Sequence, residues 1–217
     1  MPVVIPARRK RTVQMLAALW GVLGLLAVVG TVRPAWAIRY MSDEEAVHFA
    51  LGEGVEVTAE SRTIDAELAA RLFEFTGLGV EPGETVTVRV GRDPETGELA
   101  GYAWLLTEKT RFRPITFIVG VSPAGEITRT AVVVYREPRG EQVKARRFNA
   151  QYEGKTIDDE LRVGRSIRSV SGATVSAEVM TGGVKKALLL TQEMFLKAAP
   201  RYRAGTTVTG ETKGTVQ

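Results

Sequence analysis

Three kinds of hydrophobic patterning succeed one another along the chain. Met15 to Gly30 run without a charge. Helical spacing follows. Ser42-Asp43-Glu44-Glu45 forms a capping box, with Ser42 at the N-cap and Glu45 three residues on, and predicts a helix to about Leu51. Leu68, Leu72 and Phe75 recur every three or four residues and predict a second helix from about Asp65 to Thr76, ended by Gly77 at C′. The period then falls to two. Thr85 to Val90 alternates, Gly91 to Gly97 turns through Asp93-Pro94, and Leu99 to Leu106 returns as a hairpin partner. Ile115 to Val121, the turn Ser122-Pro123-Ala124-Gly125 and Ile127 to Tyr135 predict a second hairpin. Helical signals resume over Val143 to Tyr152. A polar loop occupies Glu153 to Ser169, and a last helix runs from about Val175 to Lys197 with Val179, Met180, Val184, Ala187 and Leu188 on one face.

Four consecutive strands joined by short turns imply an antiparallel sheet and not βαβ crossovers. The expected class is α+β, an antiparallel sheet with helices packed on it. It comprises residues 38–198, preceded by a signal or anchor segment over 1–37 and followed by a flexible Gly/Thr-rich tail over 199–217.

The first segment combines a basic start, an apolar stretch and Ala35-Trp36-Ala37, the order of a secretory signal peptide. An uncleaved anchor is the alternative. Met15 to Gly30 as a helix reaches only ~24 Å, against a hydrocarbon core of ~30 Å. Extension to Val13 and Val32 reaches that thickness at the cost of including Gln14 and Thr31. Either reading places the rest of the chain outside the cytoplasm, at the periplasmic or extracytoplasmic face of the membrane.

Charge changes the picture once it is located. The 217 residues carry 29 Lys and Arg against 25 Asp and Glu, a net +4. Five of the 29 lie in residues 1–37, which hold no acid, so 24 basic residues face 25 acidic ones in the remainder. The basicity belongs to the leader, and nucleic acid is not an expected partner. The absence of cysteine excludes disulfides, thiolate nucleophiles and cysteine-ligated metal. The single histidine, His48, cannot form a His-rich metal site, and no Ser/His/Asp arrangement suggests a hydrolase.

The most informative local sequence is Val170-Ser171-Gly172-Ala173-Thr174-Val175-Ser176. Gly172 permits a tight turn. Thr174 sits where an N-cap would sit, beside the unpaired N–H groups and positive end of the helix dipole. A phosphate held or esterified there would meet backbone donors; a helix cap with no further role satisfies the same four residues.

The ordered series of short motifs resembles the FMN-binding domain family, found in the flavin subunits of the Rnf complex and of the sodium-translocating NADH:quinone reductase, and in the periplasmic part of the regulator associated with nitrous oxide reductase. The resemblance spans Met41 to Leu190. Its carriers are Ile115 to Val121 with Pro123 and Gly125, Tyr135-Arg136-Glu137 with Gly140, Phe148 and Gln151 with Gly154-Lys155, and Ser171-Gly172-Ala173-Thr174. It implies that an ApbE-type flavin transferase, acting outside the cytoplasm on FAD, esterifies the Thr174 hydroxyl to the phosphate of FMN. Ser171, Gly172 and Ala173 would shape the turn. It also implies an exported flavoprotein that carries electrons between a membrane or periplasmic redox partner and an acceptor, with the reaction residing in the cofactor.

One position departs from the family pattern: Arg168 stands three residues before Ser171, where an Asp is usual. Arg168 could pair with the FMN phosphate in noncovalent binding, or the domain could serve as a flavin-free accessory module. Glu137 is lifted to a candidate binding residue by the resemblance. Asp158, Asp159 and Glu160 lie too far upstream to replace the Asp. Tyr102, Trp104 and Tyr135 can flank a flavin ring or serve as core. Lys144, Arg146 and Arg147 form a basic cluster that would attract phosphate or an acidic partner. The Gly91–Gly97 turn lacks the ending of a phosphate loop.

Overall fold

The computed structural model describes residues 37–197 apart from Phe112 and Pro138. The signal or anchor expected over 1–37, save its last residue, and the tail expected over 199–217 lie outside the described residues.

Among the described residues, six strands form one antiparallel sheet: β1 (Ile38–Arg39), β2 (Glu56–Thr63), β3 (Thr85–Arg92), β4 (Leu99–Glu108), β5 (Ile115–Val121) and β6 (Ile127–Tyr135), in the order β1-β6-β5-β4-β3-β2. The helices are α1 (Asp43–Leu51), α2 (Ala66–Thr76), the single turn α3 (Arg146–Asn149) and α4 (Thr174–Thr191). The four strands predicted from alternation are present, and the class is α+β as expected.

The sheet has two more strands than the pattern implied. β2 reads Glu-Val-Thr-Ala-Glu-Ser-Arg-Thr and buries none of its residues. It is an edge strand held to β3 by the backbone ladder from Glu56↔Arg92 to Thr63↔Thr85, so no apolar alternation was required of it. β1 spans two residues paired with Val134 and Tyr135.

Both sheet faces are covered in the middle. Ala46, Val47 and Ala50 of α1 pack on Ala103, Ile118 and Val133. On the other face Ala177, Met180, Val184 and Leu188 of α4 pack on Trp104, Phe117 and Val119. β5 lies between the two layers and all seven of its residues are buried, which is why its sequence is a continuous apolar run. α2 covers α4 in turn. Thirteen of the 18 residues of α4 are therefore buried, and the single apolar face predicted for it is too narrow. Gly182 and Gly183 make this packing possible. A Cβ on Gly183 would lie 2.2 Å from Phe117 Cζ, and one on Gly182 would lie 3.2 Å from the Thr76 carbonyl oxygen.

Buried polar groups on α4 are paired. Thr191 donates to the Ala187 carbonyl at 2.8 Å and accepts from Trp104 Nε1 at 2.8 Å. Thr181 donates to the Ala177 carbonyl and accepts from the Tyr152 hydroxyl. Lys186 Nζ lies 2.9 Å from Glu108 Oε1, with both side chains about nine-tenths buried.

Two helix predictions need correction. The helix expected over 143–152 is broken into a 3₁₀ turn (Glu141–Lys144) and α3, because Ala145 between them is extended. The last helix stops at Thr191 and continues as a π-helical turn over Gln192–Leu196. There Glu193 bonds both guanidinium nitrogens of Arg71 on α2 and the Lys197 ammonium. Phe195 stacks on Tyr102 with ring centroids 4.6 Å apart.

Candidate functional site

The Ser-Gly-Ala-Thr segment forms the turn that its composition predicts. The Ala173 N–H donates to the Val170 carbonyl at 3.0 Å, and Gly172, third in this four-residue turn, has φ +76°. A side chain at Gly172 would be strained in that conformation.

α4 then begins one residue earlier than expected. Ala173 is the N-cap and Thr174 is the first helical residue, so Thr174 does not cap the helix. No side chain among the described residues caps it, and the first intrahelical bond runs from the Ala177 N–H to the Ala173 carbonyl at 2.9 Å. The N–H groups of Thr174, Val175 and Ser176 consequently have no acceptor within the helix. The Thr174 hydroxyl is exposed and makes no hydrogen bond among the described residues.

These groups open onto a cleft of about 590 Å³, lined by Thr110 and Arg111 from the β4–β5 loop, Glu137 and Arg139 from the segment after β6, and residues 172–176. The size lies within the roughly 300–1,000 Å³ of small-molecule sites. Its walls are tied together. Glu137 Oε1 accepts from the Arg113 N–H at 2.7 Å, which joins the two loops. Thr110 Oγ1 donates to the Arg113 carbonyl at 2.8 Å. At the floor the Tyr135 hydroxyl donates to the Arg139 carbonyl, so the Ser176 hydroxyl, 3.0 Å away, donates to Tyr135. Burial pushes the Tyr135 phenol above its ordinary value, so it remains protonated and keeps this direction. Gly140 is required beside the hydroxyl pair: its φ is +91°, and a Cβ would lie 2.7 Å from Ser176 Oγ and 2.8 Å from the Tyr135 oxygen.

The structure separates the sequence candidates. Thr174, Gly172, Ala173 and Glu137 share the cleft. Ser171 and Arg168 line a neighbouring recess of about 340 Å³, together with Arg147, Phe148, Gln151, Ser169 and Val170. Of the basic cluster, Arg147 reaches that recess, while Lys144 bonds Glu141 at 3.3 Å and lies over the Tyr40 ring. Arg136 donates to Thr116 at 2.9 Å. Tyr102 and Trp104 are core residues beside the π-helical turn, at the C-terminal end of α4. His48 lies on α1 with a buried Nδ1 that has no partner among the described residues. Asp159 binds Thr156 and Lys155, and Glu160 pairs with Arg165.

Arg111, Arg139 and Ser176 were not anticipated. The arginines lie in irregular loops, where periodicity carries no information. Ser176 had one available signal, its place two residues beyond Thr174 in the first helical turn.

The class thus defined is an α+β domain with an antiparallel meander and a mostly positive cleft at an uncapped helix start. Its donors suit an oxyanion: three backbone N–H groups, a free hydroxyl and two guanidinium groups. Residues 113–189 match the sequence model described as the FMN-binding domain. That is the family the motif series resembles, and the match supports an FMN-binding domain over this stretch. Among solved structures, the crystal structure of Shewanella oneidensis NqrC matches with a TM-score of 0.52 at 16% identity, covering 72% of this chain and 95% of that one. That likeness is one of fold. No curated protein matches the sequence.

Proposed function

We propose that the protein is an exported electron carrier whose FMN lies in the Thr174 cleft and is esterified through its phosphate to Thr174 Oγ1. The observation that carries this reading is an uncommitted hydroxyl at the first residue of an uncapped helix, facing a cleft with two guanidinium groups. FMN, when bound, supplies one- and two-electron redox chemistry through its isoalloxazine ring.

The chain's own groups have separable tasks. The N–H groups of Thr174, Val175 and Ser176 and the side chains of Arg111 and Arg139 bind the phosphate. Glu137 holds the β4–β5 loop against the segment after β6. Tyr135 and Ser176 fix that segment to the first turn of α4. Exposed Val175 offers an apolar contact at the mouth. In the linkage reaction Thr174 loses its hydroxyl proton and gains an O–P bond while the pyrophosphate of FAD breaks and AMP departs. A flavin transferase of the ApbE type is the proposed catalyst. The signal-like pattern of residues 1–37 supports export and, with it, a membrane or periplasmic redox partner.

A noncovalent reading is favoured by one residue, Arg168 in place of the usual Asp. Intact-mass spectrometry of chain co-expressed with a transferase separates the two. The expected result is one FMN, less one water, on the peptide bearing Thr174, and its loss in Thr174→Ala with an unchanged melting temperature. An unmodified peptide with colour that washes away on denaturation would overturn the covalent linkage and leave FMN binding standing.

A further inference from the structure

Charge is divided along the chain in a way that its total conceals. Residues 38–108 carry 5 Lys and Arg against 15 Asp and Glu, and residues 109–168 carry 13 against 7. The sheet order carries the division into space, with β2 and β3 at one edge and β5 and β6 toward the other. Within the basic stretch most acids are already engaged. Glu141, Asp159 and Glu160 pair with Lys144, Lys155 and Arg165, and Glu137 accepts from the Arg113 N–H. Four exposed arginines, Arg146 and Arg147 on α3 and Arg162 and Arg168 in the following loop, form no ion pair among the described residues. One amide holds their two segments together: Gln151 Oε1 accepts from the Arg168 N–H at 2.8 Å and its Nε2 donates to the Phe148 carbonyl at 3.3 Å. Arg147 and Arg168 line the same recess, with the Ser169 and Ser171 hydroxyls. Ser171 lines that recess and the next residue, Gly172, lines the Thr174 cleft, so the arginines stand beside the candidate flavin site without belonging to it.

We infer that the surface formed by α3 and the loop ending at Arg168 docks an acidic protein partner, whose carboxylates pair with Arg147 and Arg168. Two observations favour a protein over a lipid surface. Guanidinium groups match the fork of a carboxylate, and a recess admits a projecting acidic side chain. None of the exposed large apolar residues lies on α3 or in this loop, whereas membrane-surface segments set Trp, Phe and Leu beside their basic groups. The attraction is local. Residues 38–197 carry 21 Lys and Arg against 24 Asp and Glu, so the net charge has the sign that would repel such a partner. The inference rests on the proposed redox role for the partner's task and not for its binding, which needs no flavin.

The test maps the contact on the full chain without flavin. Isotopically labelled protein is titrated with a hexaglutamate peptide at about 50 mM salt, where screening is weak, and followed amide by amide by NMR. Shifts are expected over residues 146–151 and 162–171, and they should collapse at about 300 mM salt. Arg147→Gln/Arg168→Gln should weaken the peptide about 3- to 10-fold, the effect of two exposed charge pairs. Arg89→Gln/Arg92→Gln makes the same change of charge in the acidic half and should leave the affinity unchanged. Either single variant, Arg147→Gln or Arg168→Gln, serves if the double one melts early. Shifts confined to residues 1–37, or spread evenly over the chain, overturn the inference. Binding to vesicles of phosphatidylglycerol with no response to the peptide also overturns it and assigns the surface to lipid. FMN titrated into the parent chain separates this inference from the flavin reading: a peptide response without FMN binding removes the flavin and leaves the docking surface standing, and FMN binding without a peptide response does the reverse.

Discussion

Gly140→Ala isolates the packing behind the cleft. Two costs combine at this position. An alanine at φ +91° leaves the region that L residues prefer, a penalty of about 1–2 kcal/mol. Its Cβ would also stand 2.7 Å from Ser176 Oγ and 2.8 Å from the Tyr135 hydroxyl, and 3.4 Å from Ala173 Cα. Relief requires the hydroxyl pair to part. Ser176 is 4% exposed and Tyr135 2%, so neither regains water freely, and a buried group left unsatisfied costs about 1–3 kcal/mol. The total is roughly 2–5 kcal/mol. Gly154 supplies the control, since its φ is +74° with nothing within 4 Å of an added Cβ; Gly154→Ala bears only the conformational cost. Urea unfolding of both variants at constant m value measures the difference, expected at about 1–3 kcal/mol. At about 2–4 °C per kcal/mol for a chain of this size, that separates the melting temperatures by several degrees. FMN affinity should fall in Gly140→Ala alone, because residues 137 and 139 move with it. Equal destabilisation of the two variants would refute the argument, since contact with the hydroxyl pair would then carry no energy.

The buried pair Glu108–Lys186 predicts an asymmetry. Lys186→Met strands a buried carboxylate and should cost about 3–5 kcal/mol, whereas Glu108→Leu/Lys186→Met should lie near or above the parent in stability; a double variant no better than the single one contradicts this. Hydrogen bonding to Arg71 holds the Glu193 carboxyl below its ordinary value. A lowered folded value means that the stabilisation is present above the unfolded value of about 4.3 and is lost as pH falls through the folded one. The advantage of the parent over Glu193→Gln, up to about 1 kcal/mol at pH 7, should therefore shrink as the pH falls below the unfolded value and vanish on further acidification, and a difference flat throughout the acid range would exclude the linkage.

Local order was legible where it depends on near neighbours. The capping box forms as written: Ser42 Oγ accepts from the Glu45 N–H at 3.1 Å and Glu45 accepts from the Ser42 N–H at 2.6 Å. Gly77 closes α2 in the left-handed conformation. β2 escaped notice because an exposed edge strand is specified by its partner's backbone and not by its own side chains. Thr174 was placed one position early, since the same residues serve as N-cap or first turn and only the hydrogen bonds distinguish them. Arg168, read as a partner for the FMN phosphate, lines the recess beside the Thr174 cleft, a placement that closeness in sequence does not decide.

By itself the sequence determined the alternation of β3 to β6, the ends of α1 and α2, the turn at Gly172 and the likeness to the FMN-binding domain over residues 113–189. These are properties of a few consecutive residues, or of a series whose order along the chain is the signal. Tertiary structure alone decided that Arg111 and Arg139 line one cleft at the start of α4, that Lys186 is buried against Glu108, and that Arg147 and Arg168 line one recess. Such convergence joins positions tens of residues apart. It is settled by how the helices close over the sheet, which no local period encodes.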